Sequence, residues 1–177
     1  MDHSAGQQDF AECSRDDFRM AMRKLIGGVA LICTHSDNRP YGMTATAVCS
    51  VSADPPTLLV CLNRKGSTCS AVSESGAFSV NLLGPENVEL ASTFASAPAD
   101  LQDRFSVGEW TMLKTGAPIL QNSSASFDCE VVEELDSGSH RIFIGQVRAV
   151  SRSQDDKALG YFAGGFVIPA QLLQAPA

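Results

Sequence analysis

The sequence predicts a mostly β protein with a few helices, folded as an antiparallel, Greek-key-like barrel. Three observations carry this. Apolar runs rich in β-formers recur along the chain, at "VALICTH" (29–35), "TLLVCL" (57–62), "AFSVNLL" (77–83), "SFDCEV" (126–131) and "HRIFIGQVRAV" (140–150). Only short segments repeat at helical spacing. Strands and helices do not alternate regularly, as a doubly wound parallel sheet would require. No G-x-G-x-x-G follows a strand; Gly27-Gly28 and Gly164-Gly165 are isolated pairs.

Each element has a local reason. Residues 1–13 read as a flexible tail and 171–177 as another, leaving one domain over 14–170. Ser14 and Asp17 have the spacing of a helix cap. Phe18, Met22 and Leu25, joined by Ala21, then repeat at helical spacing, and Gly27-Gly28 ends the helix. Strand 29–35 follows, and "SDNRP" turns the chain. "YGMTATAVC" (41–49) reads as the returning strand of a hairpin. Strand 57–62 is a buried one. "GSTCSAVSES" (66–75) is a short helix, and 77–83 a further strand. In "GPENVELASTF" (84–94) a proline suits the first helical turn, and Glu86 and Glu89 complement its positive end. Residues 96–124 read as irregular, with Trp110 and a Gly116-Ala117-Pro118 turn. Alternation in 126–131 puts Phe127, Cys129 and Val131 on one face and Asp128 and Glu130 on the other. "LDSGS" turns into strand 140–150, the longest candidate.

Composition narrows the partners. The 177 residues carry a net charge of -7, which disfavours nucleic acid and anionic membrane. A local cluster of backbone N–H groups still binds phosphate in an acidic protein. None of the six cysteines forms a C-x-x-C pair, so no zinc site is expected. Cys33, Cys49, Cys61 and Cys129 lie in apolar runs, as buried free thiols do. The polar N-terminus lacks a signal peptide's apolar core, and no run reaches the roughly 18 apolar residues of a membrane span. A reducing, cytoplasmic setting is the expectation.

Two groups of residues could carry chemistry. In "CLNRKGST" (61–68), Asn63, Arg64 and Lys65 lead to Ser67 and Thr68 at a helix start. Hydroxyls and free N–H groups beside cations suit a phosphate; a plain helix cap with two solvated cations is the other reading. Thr44 to Ser52 is unusually small for a strand. Such side chains let a flat ring lie against backbone, or let another strand or subunit pack closely. His140 sits at a strand mouth after a Gly-containing turn, where it is either functional or an ordinary polar residue. His3 and His35 read as solvent-facing. No Ser-His-Asp or Cys-His spacing stands out.

Taken together, "GMTATAVCSVSADPPTLLVCLNR" (42–64), "FSVNLL" (78–83), "RF" (104–105), "CEV" (129–131) and "GSHRIFIGQV" (138–147) resemble the short flavin reductases. These are the reductase components of two-component flavin-dependent monooxygenases, such as those acting on 4-hydroxyphenylacetate or in pyrimidine degradation. The resemblance spans roughly Phe18 to Phe166. It implies an FMN-binding split barrel, a homodimer, FMN or FAD as flavin, and NADH or NADPH as hydride donor. Reduced flavin would diffuse to a separate monooxygenase. By position, Thr44, Ala45, Thr46 and Ala47 would line the isoalloxazine and ribityl chain, continued by Ser50, Val51 and Ser52. Asn63, Arg64, Ser67 and Thr68 would lie near the phosphate. His140 would stand beside nicotinamide and flavin as the catalytic residue.

One segment departs from the pattern. The family often has an aromatic pair, then an arginine, then an aromatic; "YFAGGF" (161–166) has Gly where that arginine commonly stands. Its hold on the pyridine nucleotide is therefore not carried over. Two other classes share the barrel: a flavin- or haem-binding module without turnover, and a pyridoxamine-phosphate-oxidase-like enzyme. The latter calls for more basic residues than Arg64-Lys65.

Overall fold

The computed structural model describes residues 12–96 and 103–170. The two expected tails, 1–13 and 171–177, lie outside this range except for Glu12 and Cys13, as does part of the segment read as irregular. Helix α1 spans Arg15–Met22 and α2 Ser67–Ser75; a single 3-10 turn, Pro85–Asn87, leads into α3, Val88–Ala95. The strands are β1 Gly27–Gly28, β2 Ala30–Ser36, β3 Arg39–Ala45, β4 Val48–Ala53, β5 Pro56–Asn63, β6 Ala77–Leu82, β7 Trp110–Met112, β8 Pro118–Leu120, β9 Ala125–Ser137, β10 His140–Arg152, β11 Gly160–Phe162 and β12 Gly165–Val167.

Seven strands form one sheet in the order β3-β2-β6-β9-β10-β5-β4, every pair antiparallel. Its two edges, β3 and β4, are consecutive in sequence, with only Thr46 and Ala47 between them. A join that short spans about 10 Å. The sheet therefore curls until its edges meet at that end, giving a barrel with a seam. The expected strand 41–49 is thus two strands. β3 starts earlier, because Asp37 and Asn38 both take positive φ (50 and 58) and close a two-residue hairpin turn.

Strand β2 is buried on both faces, which is why it reads as a continuous apolar run. Ile32 points into a cluster with Val60, Leu62, Phe78, Val80 and Phe143 inside the barrel, where Val72 of α2 also packs. Leu31 and Cys33 face the second cluster, with Leu90 and Phe94 of α3, Leu120 and Leu159.

Several expectations are corrected. Helix α1 is capped as read, with Ser14 Oγ accepting from the Asp17 amide at 3.1 Å. The helix ends at Met22, before Leu25, and the apolar residues of this segment stay outside the core: Phe18 on α1 is 58% exposed and Leu25, beyond it, 63%. Gly27-Gly28 does more than end that helix; it pairs with Tyr161 and Gly160. Asp128, expected outside, is fully buried, because its carboxylate accepts from the Lys114 amide (2.6 Å), the Thr115 amide (2.8 Å) and the Thr115 hydroxyl. Cys49 is exposed, since β4 is an edge strand, and Cys61 is half-buried. Cys33 and Cys129 are buried as read; burial pushes the Cys33 thiol far up and that of Cys129 to about 12. His35 is half-buried rather than solvent-facing, and its Nδ1 is buried without a hydrogen-bond partner among the described residues.

Candidate functional site

Strand register gathers the candidate residues on one rim. β5 ends at Asn63, which lies opposite His140, the first residue of β10. On the other side of β5, the Cys61 amide donates to the Ala47 carbonyl at 3.1 Å, and Val48 faces Val60. The Thr46-Ala47 join, the Asn63–Thr68 segment and His140 therefore sit on neighbouring strands, each about 4.8 Å from the next.

Local chemistry shapes this rim. Asn63 Oδ1 accepts from the Lys65 amide at 3.0 Å, and the Gly66 amide donates to the Asn63 carbonyl at 3.0 Å. These two bonds fold the chain back into α2. Gly66 is the N-cap and provides no side-chain acceptor. The first-turn amides of α2 thus lack the side-chain cap that usually satisfies them, and they carry the positive end of the helix. Ser67 is exposed there, whereas Thr68 is buried.

Arg64 is already engaged. Its guanidinium reaches Asp136 at 3.1 Å and the Gly138 carbonyl at 3.4 Å. Asp136 also binds Arg141 at 2.6 Å, and Arg141 reaches Glu134 at 3.0 Å and Ser73 at 2.8 Å. The Arg141 hydrogen bond, more than the charges of Arg141 and Arg64, holds the Asp136 carboxyl below its usual range. His140 is exposed, with Nδ1 2.9 Å from Ser139 Oγ.

The small-residue stretch divides in three. Thr44 Oγ1 donates to the Ala91 carbonyl at 2.6 Å and ties β3 to α3, and Ala45 packs against the barrel interior. Thr46 and Ala47 are exposed at the seam. Ser50, Val51 and Ser52 are exposed along β4, with an irregular register at Val51. Ser52 Oγ donates to the Asp54 carbonyl at 2.9 Å, at the turn before the cis Asp54-Pro55 bond. Ser52 faces Thr57, six residues down β5 from Asn63, about 20 Å away along the strand. The structure thus brings together Thr46, Ala47, Asn63, Arg64, Ser67 and His140, while Ser50 to Ser52 lead away along the edge.

Sequence reading missed one neighbour of this rim. Thr46 also lines an open groove of about 750 Å³ between α1 and the turn joining β11 to β12. The signals available were the two glycine pairs and the aromatic pair Tyr161-Phe162, each too short to show a period.

An antiparallel barrel with a small-residue seam beside an uncapped helix start is the class this geometry defines. Residues 22–169 match the family described as "Flavin reductase like domain", and the chain belongs to that family. It is 39% identical over 163 residues to the FMN reductase (NADH) RutF of Acinetobacter baylyi, an alignment covering 92% of this chain and 86% of that protein. Among solved structures, flavin reductase PheA2 aligns with a TM-score of 0.79 at 31% identity, covering 90% of this chain and 100% of that one. BorF, the flavin reductase component of a bacterial two-component tryptophan halogenase, gives 0.80 at 30% identity, covering 88% and 98%.

Proposed function

We propose that the protein is a flavin reductase that uses NADH or NADPH to reduce FMN or FAD, then releases the reduced flavin to a separate flavin-dependent monooxygenase. The observation that carries this reading is the rim itself, where exposed small residues, an uncapped helix start and a histidine stand on adjacent strands. Its donor set fits a phosphorylated ring ligand. Ala45, Thr46 and Ala47 leave space beside backbone for a flat ring, which Thr44 supports by fixing β3 to α3. Ser50, Val51 and Ser52 continue the contact along the edge. Asn63 shapes the turn, Arg64 and Ser67 face the phosphate, and Thr68 contributes its backbone N–H. His140 holds a ring nitrogen at the edge where negative charge grows. When bound, the flavin supplies the redox chemistry by accepting a hydride from the nicotinamide.

The proposal includes a homodimer. Val132 (57%) and Leu135 (56%) on β9 and Val150 (54%) on β10 are exposed large apolar residues on the longest strands, and a second copy would cover them. Six free cysteines suit the reducing conditions of a cytoplasm. The test is nicotinamide oxidation with and without added flavin. Consumption of NADH or NADPH should depend on FMN or FAD. Tight flavin binding without turnover, with every flavin and both donors, would leave a binding module instead.

A further inference from the structure

Arg64 has two claims on it at the rim. It is placed to face a phosphate, yet its guanidinium is held by the turn that carries His140. Its Nη2 lies 3.1 Å from an Asp136 carboxylate oxygen, and its Nη1 donates to the Gly138 carbonyl at 3.4 Å. Its amide donates to the Ser139 carbonyl at 3.0 Å.

The charges around it close on themselves. Asp136 accepts from Arg141 through both carboxylate oxygens, at 2.6 Å and 3.2 Å. Arg141 reaches Glu134 at 3.0 Å, and Ser73 of α2 donates to Glu134 at 2.8 Å. Two guanidiniums thus face two carboxylates, and the set is neutral. An arginine has five N–H donors, and Arg64 turns two of its nitrogens to Asp136 and Gly138. It keeps donors for a phosphate, but Asp136 cancels the charge that would strengthen those bonds. Arg64 and Asp136 are 48% and 40% exposed in their side chains, so water and salt screen the competition and its effect is moderate.

We propose that Asp136 sets how tightly the rim holds a flavin phosphate, by competing with it for Arg64. The proposal rests on the reductase reading, which places the phosphate at Arg64 and Ser67, and it gives the ion network a purpose. A reductase that hands its flavin on needs a phosphate site that recognises the group and also lets it go. A carboxylate beside the phosphate-binding arginine does this. As the phosphate departs, Asp136 takes up the guanidinium again, so Arg64 is not left without a partner. Asp136 is a positioning residue here, since it acts through Arg64.

The probes are FMN and riboflavin, which differ by the phosphate. Both are titrated by fluorescence into wild type, Asp136→Asn, Glu134→Gln, Arg64→Gln and the double variant Arg64→Gln/Asp136→Asn. Asn keeps the shape of Asp and an oxygen that accepts from an arginine, without the charge. Asp136→Asn should tighten FMN binding about three- to tenfold, the scale of one screened charge. FMN dissociation, read in stopped flow with excess riboflavin as displacing ligand, should slow in step. Riboflavin affinity should stay within about twofold of wild type, and added salt should shrink the FMN gain. Glu134→Gln removes the same charge from the same network but leaves Asp136 on Arg64, so its FMN affinity should stay near wild type. With Arg64→Gln already present, Asp136→Asn should move FMN affinity by less than about twofold. Unchanged or weaker FMN binding in Asp136→Asn overturns the proposal. So do equal shifts for FMN and riboflavin, an equal gain in Glu134→Gln, or a gain that survives with Arg64→Gln. FMN tightening of the expected kind without flavin-dependent turnover sinks the reductase reading and leaves the competition. Turnover with an FMN affinity indifferent to Asp136 does the reverse.

Discussion

Gly42→Ala should destabilise the protein through a single methyl group. Gly42 lies on β3 under the Phe94 ring. A Cβ there would stand 2.8 Å from Phe94 Cε1 and 3.1 Å from Phe105 Cζ. Phe94 cannot easily retreat. It is 1% exposed and meets Phe105 edge-to-face at 5.0 Å, and Trp110 closes the group at 4.8 Å from Phe105. The same spot anchors Arg104, buried at 6% exposure, which donates to the carbonyls of Gly42 (3.3 Å), Phe94 (3.4 Å) and Ser96. Overpacking costs about 1–3 kcal/mol, and disturbing the ring pair adds about 0.5–1.5 kcal/mol. Reduced freedom of the unfolded chain returns about 0.5–1 kcal/mol. The net loss is centred near 2 kcal/mol within a span of about 0.5–4 kcal/mol, and the central figure is roughly 4–8 °C in Tm for a domain of this size. Trp110, the chain's one tryptophan, sits in this cluster and reports on it. Urea and thermal unfolding of the flavin-free protein, followed by its emission, give the measurement. A midpoint within about 0.5 kcal/mol of wild type, with unchanged emission, would refute the packing argument. Adding Phe94→Leu should recover part of the loss, so the double variant should be less damaged than the two singles summed.

Other outcomes follow from the rim. Ser67→Ala should weaken FMN binding by about 1–2 kcal/mol and leave riboflavin, which has no phosphate, unaffected in parallel titrations; equal losses would put the phosphate elsewhere. His140→Ala should slow flavin reduction by about 1–3 kcal/mol of barrier, roughly 5- to 150-fold, with FMN affinity unchanged. Stopped-flow reduction of the FMN-loaded variant by NADH checks this, and an unaltered rate removes His140 from the site. Asp136 titrates lower in the folded chain than its ordinary 3.8 because of Arg141. Its stabilisation is therefore present above that value and lost as pH falls through the lower folded one. Asp136→Asn should flatten the acid limb of stability against pH, while matching limbs in variant and wild type would contradict the assignment.

Much of the barrel was legible because its strands are long or buried on both sides. "VALICTH" stands out as a continuous apolar run and "HRIFIGQVRAV" as a long stretch rich in β-formers, and the Ser14 cap is a local device. What escaped was set by contacts distant in sequence. Asp128 looked outward by alternation, yet three donors from the 114–115 loop hold its carboxylate inside. The break at Thr46-Ala47 follows from sheet closure, which residue type does not reveal. β11 and β12 have three residues each, too few for a pattern. The candidate rim was legible by resemblance rather than by spacing. The groove was not, since its walls come from both ends of the chain.

The strand order also dictates how the molecule can be made. β4 and β5 form their hairpin early, but within the sheet β5's other neighbour is β10. Until His140–Arg152 leaves the ribosome, "TLLVCL" has one side of its backbone unpaired. The growing chain then holds two unjoined pieces, the β4–β5 ribbon and the strands β3, β2, β6 and β9. β10 fastens them together late, through pairings such as Asn63 with His140. Contacts so far apart in sequence slow folding, and an unpaired apolar strand invites association with other chains. A product terminated before β10 would carry that open edge permanently and would be a substrate for chaperones and proteases.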